Sequence, residues 1–272
     1  MPDSGTRTVR SFCRVCQSVC GILVDVEVHA DGDRVLKVHG DRDHPVSAGY
    51  TCTKGRALPQ LHHHPDRLDH PQIRVDGALH DTDWDDCLDD LAGKLRQIID
   101  RDGPEAVGIF FGSGIGMDAA GYRMAEALLS AIGTPAKFTP LTIDGTAKPL
   151  VADLMGGFAG LSCRADFADV GFLLYVGSNP VVSHGHTLAI PNPTGLIREI
   201  TRRGQVWVID PLRTETARLA GRHIAPRPGT DYAVLAYLVA ELLADGADPA
   251  VLANRVSDAD RLADAVAPFT RE

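Results

Sequence analysis

Residues 13–20 read CRVCQSVC, and residues 52–55 read CTKG. Together these stretches hold four of the six cysteines in the 272-residue chain. Cys13, Cys16 and Cys20 share one short loop, whereas Cys52 stands alone after a long gap. In a cytoplasmic protein, clustering of this kind indicates metal or redox chemistry more than disulfide bonds.

The segment between the third and fourth clustered cysteines predicts a β-hairpin. Residues Leu23–Val28 alternate apolar and polar side chains, as a half-buried strand does, and Arg34–Val38 returns as a second strand. An antiparallel return of this kind brings Cys52 back toward the loop that carries the other three cysteines.

Three kinds of site can use four cysteines in this spacing. Two short gaps on one loop can wrap three corners of a cubane iron–sulfur cluster, and a distant cysteine can close the fourth. Zinc is the main competing interpretation, although zinc ribbons usually use two C-x2–4-C pairs. A structural or disulfide-bonded set is the third. The spacing favours a [4Fe–4S] cluster on Cys13, Cys16, Cys20 and Cys52.

The chain beyond the cysteines alternates strands and helices. Residues 62–77 are rich in His, Pro and Asp and resemble a connection, after which Asp83 caps a predicted amphipathic helix that continues to Ile99. Strands are predicted at Ala106–Phe111, Val170–Val176 and Gln205–Ile209, and helices at Asp118–Ile132, Pro193–Arg203 and Asp231–Ala244.

Strands without polar alternation are typical of a parallel sheet that is buried on both faces. We therefore predict a small N-terminal antiparallel β domain, followed by a doubly wound, mostly parallel α/β sheet with helices on both faces. The predicted domains are residues 1–62 for the cluster, 63–140 for the first part of the α/β region, and 141–272 for the rest.

Composition and charge exclude several classes of function. The net charge of −9 argues against a nucleic-acid partner, which would need a basic face. No stretch approaches the roughly 18–20 apolar residues of a membrane span. Met1–Arg10 is polar and shows no secretory signal, so the sequence predicts a cytoplasmic location.

Six blocks of sequence, in order, resemble the molybdopterin (Mo/W-bis-MGD) oxidoreductases, which include formate dehydrogenases, nitrate reductases and relatives of dimethyl sulfoxide reductase. Together the blocks cover almost the whole chain. They are the cysteine loop with CTKG at 52–55, PDRL at 65–68 followed by WD at 84–85, FGSG at 111–114, GSNP at 177–180, IDPLRTETA at 209–217 and RPGTD at 227–231.

The resemblance implies a [4Fe–4S] cluster, and molybdenum or tungsten held by two molybdopterin guanine dinucleotides. Lys54 would lie between cluster and pterin as an electron relay. Independently, ligands of open α/β sheets bind at the carboxyl ends of strands, where glycines let the backbone approach a pyrophosphate. The residues expected to bind one dinucleotide are Gly112, Ser113, Gly177, Ser178, Asn179, Asp210, Arg213, Thr214, Gly229, Thr230 and Asp231.

The resemblance also implies a small-molecule substrate, such as formate or nitrate, and a redox partner, such as ferredoxin or an NAD-linked subunit. The family's usual protein ligand to the metal aligns with Leu150, which cannot coordinate; Asp144, Asp153 and Cys163 are nearby substitutes. Family members are considerably longer, so a separate chain could supply the C-terminal half. An electron-transfer module that holds only the cluster, and a zinc domain fused to a nucleotide-binding fold, remain alternatives.

Overall fold

A computed structural model describes residues 5–30, 32–160, 165–185 and 190–271. The chain divides into two compact units, Met1–Arg164 and Ala165–Glu272. Within the described ranges, no helix is both long and apolar enough to cross a membrane.

The first unit begins with strands and continues through a hairpin into helices. Its elements are β1 (Thr6–Phe12), β2 (Gly21–Glu27), β3 (Arg34–Gly40), α1 (Thr53–Arg56), α2 (Leu58–His62), β4 (Gln72–Val75), β5 (Ala78–Asp81), α3 (Trp84–Asp102), β6 (Ile109–Phe110), α4 (Ala119–Ile132), β7 (Lys137–Phe138), α5 (Leu141–Asp144) and α6 (Ala147–Gly156).

Strands β1, β2 and β3 form an antiparallel sheet in that order. The predicted hairpin is confirmed as β2 and β3, and β1 adds a third strand. Phe12 pairs with Gly21, and Ile22 pairs with Gly40. This register places the loop of three cysteines and the segment that leads to Cys52 at the same end of the sheet.

The interpretation of residues 62–77 as a connection is partly wrong, because β4 and β5 form a second hairpin there. Its two turn residues, Asp76 and Gly77, have φ values of 49° and 83°. Positive φ at both central positions is the geometry of the tight hairpin turn that Asp-Gly favours. The His- and Pro-rich composition before the turn obscured this signal.

Helix α3 begins where the sequence predicts it, since the Asp83 side chain accepts a hydrogen bond from Asp86 N at 2.8 Å. The strand predicted at Ala106–Phe111 is shorter, with only Ile109 and Phe110 paired to β7. Pro104–Ala106 instead forms a 3-10 turn, and the short β7 offers only two residues for pairing.

The second unit is built on a parallel sheet of three strands. Its elements are β8 (Phe172–Val176), α7 (Pro180–Ser183), α8 (Pro193–Arg203), β9 (Gln205–Ile209), α9 (Glu215–Leu219), β10 (Arg222–Ile224), α10 (Asp231–Ala244), α11 (Pro249–Arg255) and α12 (Ala259–Val266).

The strand order β10-β9-β8 confirms the predicted parallel α/β fold. Strand β9 and helices α8 and α10 have the predicted bounds. The described parallel strands, however, lie in two sheets, with β6 and β7 in the first unit. The core of the second unit is apolar and includes Ile197, Ile200, Val206 and Val208, all fully buried.

The hydroxyl of Tyr175, on β8, is expected to lower the stability of this core. This hydroxyl is buried and has no hydrogen-bond partner among the described residues, and burial raises its pKa to about 12. Because an unsatisfied buried hydroxyl is unfavourable, Tyr175→Phe should raise the free energy of unfolding by about 1 kcal/mol. The measurement is denaturant unfolding, with exposed Tyr232→Phe as the control.

The same tyrosine gives a dependence on pH. The folded state keeps the proton more tightly than the unfolded state, whose tyrosine has an ordinary pKa near 10. The free energy of unfolding is therefore unaffected by this group below about pH 10 and falls as pH rises toward 12, by up to roughly 2.7 kcal/mol. Tyr175→Phe should remove this alkaline loss; an unchanged alkaline slope would contradict the assignment.

Candidate functional site

The four clustered cysteines converge on one place in the first unit. Burial, followed by the charges of Cys16, Cys13 and Cys52, raises the pKa of Cys20 to about 11. Cys13 responds in the same way, with its pKa raised first by burial and then by Cys16 and Cys52. Since such charge effects require proximity, Cys52 has returned to the other three thiols.

Backbone hydrogen bonds close the loop of three cysteines. Cys13 N donates to Cys20 O at 2.8 Å, at the mouth of the loop, and Val19 N donates to Cys16 O at 3.3 Å. Val19 has a φ of 42°, which a β-branched residue rarely adopts. Backbone strain of this kind costs roughly 1–3 kcal/mol and persists where surrounding contacts impose it.

Two glycines allow the segment after β3 to fold back against the sheet. A Cβ on Gly40 would lie 1.9 Å from the Gly49 carbonyl oxygen, and a Cβ on Gly21 would lie 2.4 Å from the His44 ring. Ser47 Oγ accepts a hydrogen bond from Gly21 N at 3.1 Å and lies 2.9 Å from His44 Nδ1. These contacts hold the segment that delivers Cys52.

The residues after Cys52 also lie against the cluster site. Gly55 is buried, and a Cβ there would meet the Cys13 Sγ at 3.4 Å and the Thr51 Oγ1 at 2.5 Å. Lys54 is exposed, and its positive charge acts to lower the pKa of Cys13 against the stronger effect of burial. The predicted relay residue therefore lies beside a cluster thiol.

The clustered thiols are not joined in disulfides, since all five described cysteines are free thiols. Three thiols from one loop and a fourth from beyond a hairpin are a ligand set that suits a [4Fe–4S] cluster. Zinc bound by the same four thiols stays the alternative.

The first predicted dinucleotide loop lies next to the cysteine loop. Gly112 and Ser113 follow β6, and the turn that they begin ends at Met117. Arg14, between two cluster cysteines, donates a hydrogen bond to the Met117 carbonyl oxygen. The sequence interpretation did not include Arg14, whose position between cysteines was the only signal.

The remaining predicted loops leave the parallel sheet of the second unit at one edge. Gly177 N donates to Ile209 O at 2.9 Å, and Asp210 N donates to Ile224 O at 3.0 Å. The three loops that follow β8, β9 and β10 therefore begin side by side at the carboxyl ends of their strands, where α/β sheets bind ligands.

Two glycines in these loops offer exposed backbone. Gly177 and Gly229 have φ values of 57° and 81°, and a Cβ on either would meet no protein atom within 4 Å. Open space beside a left-handed glycine lets a phosphate approach the backbone closely. This geometry fits the dinucleotide that the sequence resemblance implies.

Several predicted side chains hold the loops themselves. Asp210 Oδ1 accepts from Leu212 N at 2.8 Å, Thr214 Oγ1 accepts from Ala217 N at 3.2 Å, and Thr230 Oγ1 donates to Arg227 O at 2.8 Å. Ser178 and Asp231 are half-buried and Arg213 is exposed. A contact of these six residues with a cofactor stays a prediction.

Asn179 joins two of the loops. Its Nδ2 donates to Glu215 Oε2 at 2.8 Å, and its Oδ1 accepts from Thr216 N at 3.2 Å and from Thr216 Oγ1 at 2.7 Å. Thr216 is fully buried. The side chain of Asn179 therefore fixes the start of α9 relative to the end of β8.

Asn179→Ala should lower the free energy of unfolding by about 2–3 kcal/mol, because two buried donors of Thr216 lose their acceptor. Denaturant unfolding measures the change. Asn254→Ala is the matched control, since Asn254 makes one exposed hydrogen bond to Ala250 O. Equal, small losses in the two variants would show that Asn179 does not join the loops.

The expected metal-ligand position is not built for coordination. Leu150 lies on α6 and is 56% exposed. Asp144 and Asp153 are also exposed, and Cys163 lies outside the described residues.

Comparison with known proteins finds two family matches along the chain. Residues 6–64 match the family described as "Molybdopterin oxidoreductase Fe4S4 domain", and residues 67–256 match "Molybdopterin oxidoreductase". The chain belongs to the molybdopterin oxidoreductases. Membership of this family confirms the resemblance and implies a [4Fe–4S] cluster and a molybdenum or tungsten pterin cofactor.

Relatives within the molybdopterin oxidoreductases carry two kinds of name. A nitrate reductase of Symbiobacterium thermophilum is 29% identical over 89% of this chain and 31% of its own length. A periplasmic nitrate reductase of Desulfovibrio desulfuricans is 31% identical over 84% of this chain and 29% of its own length. The F420-dependent formate dehydrogenase 2 subunit alpha of Methanococcus maripaludis is 29% identical over 98% of this chain and 38% of its own length. The chain spans about a third of the length of these curated relatives.

A solved structure supports the fold. Acetylene hydratase from Pelobacter acetylenicus matches 96% of this molybdopterin oxidoreductase chain with a TM-score of 0.77, at 23% identity and over 35% of its own length.

Proposed function

We propose that this chain forms the cluster-binding and first pterin-binding part of an oxidoreductase that acts on a small anion, formate or nitrate. The convergence of Cys52 with Cys13, Cys16 and Cys20 carries the proposal. When bound, the metal–pterin cofactor supplies two-electron chemistry, and the cluster supplies a one-electron path. The names of the relatives support this choice of substrate.

The chain's own residues bind and orient these groups. The four cysteines would hold the cluster, and the exposed glycine backbone at 177 and 229 would receive pyrophosphate oxygens. Lys54 would place a positive charge beside the cluster and assist electron transfer between it and the pterin. Lys54→Met should lower kcat by roughly tenfold, about 1.4 kcal/mol in the barrier, with unchanged iron content. Lys37→Met, at an exposed position on β3, is the control.

We also propose that further protein covers exposed apolar faces of this chain. Helix α10 is 14 residues long and has no buried side chain, and Tyr232 and Leu242 on it are 66% and 65% exposed. Exposed apolar patches mark surfaces that another segment or chain covers. The relatives are about three times as long, and the corresponding C-terminal portion is the proposed occupant, in the same chain or a separate one. Protection of α10 amides from hydrogen exchange on adding that portion would test this.

The redox partner is proposed as ferredoxin or an NAD-linked subunit. The compartment is proposed as the cytoplasm, where free thiols persist. Activity of cytosolic and membrane fractions with each donor tests both, and activity confined to a periplasmic extract would contradict the location.

Metal and pterin analysis of the purified chain tests the main proposal. Iron together with molybdenum or tungsten and a guanine-containing pterin is the expected result. Iron alone would favour an electron-transfer module, a second candidate that Leu150 at the ligand position supports. Zinc without iron would contradict both. Oxidation of formate, or reduction of nitrate, with a viologen dye then separates the two substrates.

A further inference from the structure

Ser18 is a buried serine inside the cysteine loop. It lies between Cys16 and Cys20 and is 5% exposed. Its Oγ is buried and has no hydrogen-bond partner in the part of the chain that the structure describes. Ser18 belongs to the loop that the hydrogen bond from Cys13 N to Cys20 O closes, and it lies two residues from Cys16 and two residues from Cys20.

Ser47, which is also buried in the described part of the first unit, has hydrogen-bond partners for its hydroxyl. Ser47 Oγ accepts from Gly21 N and lies within hydrogen-bond distance of His44 Nδ1. A buried hydroxyl without a partner costs roughly 1–3 kcal/mol, and each such group in a native structure calls for an explanation. Strain at the next residue, Val19 with φ 42°, adds to the cost of the loop conformation that encloses Ser18.

We propose that the Ser18 hydroxyl donates a hydrogen bond to a sulfur atom of the cluster, either a cysteine thiolate or an inorganic sulfide. The inference rests on the proposed function, since the acceptor is the group that the four cysteines hold. Sulfur atoms of an iron–sulfur cluster carry negative charge and accept hydrogen bonds, and such bonds tune its reduction potential. Ser18 is thus a positioning and tuning residue of the electron path.

The direction of the effect follows from charge. One-electron reduction adds negative charge to the cluster sulfurs, so a hydrogen bond stabilises the reduced form more than the oxidised form. Removing the hydroxyl should therefore make reduction harder and move the midpoint potential to a more negative value. The hydroxyl of threonine can replace that of serine, whereas the methyl group of alanine cannot.

The experiment uses the full chain, loaded with iron and sulfide without oxygen and titrated with dithionite while the reduced cluster is followed by electron paramagnetic resonance. Ser18→Ala should lower the ratio of reduced to oxidised cluster at a fixed applied potential about tenfold, which is ~59 mV for one electron. Ser18→Thr should restore most of the ratio. Ser11→Ala, an exposed serine on β1, should leave it unchanged.

A second readout separates tuning from packing. Without the cluster, Ser18→Ala should be no less stable than the unmodified chain, because the unsatisfied hydroxyl is gone. Loss of the cluster in Ser18→Ala but not in Ser18→Thr also supports the hydrogen bond. Loss in both variants indicates a packing role and overturns it.

Two results distinguish this inference from the proposed function. A fully loaded Ser18→Ala variant with an unshifted potential overturns the role of Ser18 and leaves the cluster in place. An unmodified chain that takes up no iron overturns the proposed function and this inference together.

Discussion

Cys52→Ala should abolish the iron–sulfur cluster. Cys52 is the one thiol of the four that reaches the site from outside the loop, and its charge acts on both Cys13 and Cys20. Loss of a group that merely supports a metal ligand lowers affinity roughly 10–100-fold, so loss of a ligand should exceed that. Iron and acid-labile sulfide per chain, measured after anaerobic reconstitution, give the result.

Cys87→Ser is the matched control for this substitution. Cys87 is also a free thiol, but it lies on α3, away from the cysteine loop in sequence. The control should retain the full iron content. If the Cys52 variant keeps as much iron as the Cys87 variant, the fourth ligand has been assigned to the wrong residue.

Gly40→Ala should disrupt the fold around the N-terminal sheet, because the added methyl group would lie 1.9 Å from the Gly49 carbonyl oxygen. Neither backbone segment can yield cheaply, since Gly49 N also donates to Asp41 O at 2.8 Å. We expect a loss of roughly 3 kcal/mol in the free energy of unfolding, the upper end for overpacked sites. Iron uptake should fall as well, because this segment delivers Cys52.

Gly5→Ala provides the comparison, since a Cβ at Gly5 meets no atom within 4 Å. Its free energy of unfolding should change by no more than about 0.5 kcal/mol. The two variants are compared by denaturant unfolding and by iron content. Equal behaviour would mean that the segment after β3 does not pack closely on Gly40.

Much of the local structure was predictable because the signals were local. The period-2 pattern that ends at Val28, the Asp83 cap and the apolar strand Gln205–Ile209 each depend on a few neighbouring residues, and each is confirmed. The spacing of the cysteines predicted the [4Fe–4S] cluster, and the family match implies the same cofactor. The loops predicted to bind a dinucleotide could be located because strand ends are visible in sequence, and their contact with a cofactor stays a prediction.

The parts that were not predicted depend on contacts between distant residues. Gly21 and Gly40 are needed because His44 and Gly49 approach them, which no local pattern reveals. The roles of Asn179 and Ser18 also depend on what surrounds their side chains. Asn179 forms hydrogen bonds with Glu215 and Thr216, whereas Ser18 Oγ is buried and has no partner in the described ranges. Strand β10 was missed because Arg222–Ile224 is only three residues long.

Four thiols, three from one loop and one from beyond a hairpin, are proposed to hold a single cubane cluster. Mössbauer spectroscopy of the chain reconstituted with iron-57 tests this assignment most directly. We expect a [4Fe–4S] signal with about four iron atoms per chain, lost in Cys52→Ala. A chain that instead binds one zinc ion through these cysteines, with no cluster signal, would contradict it.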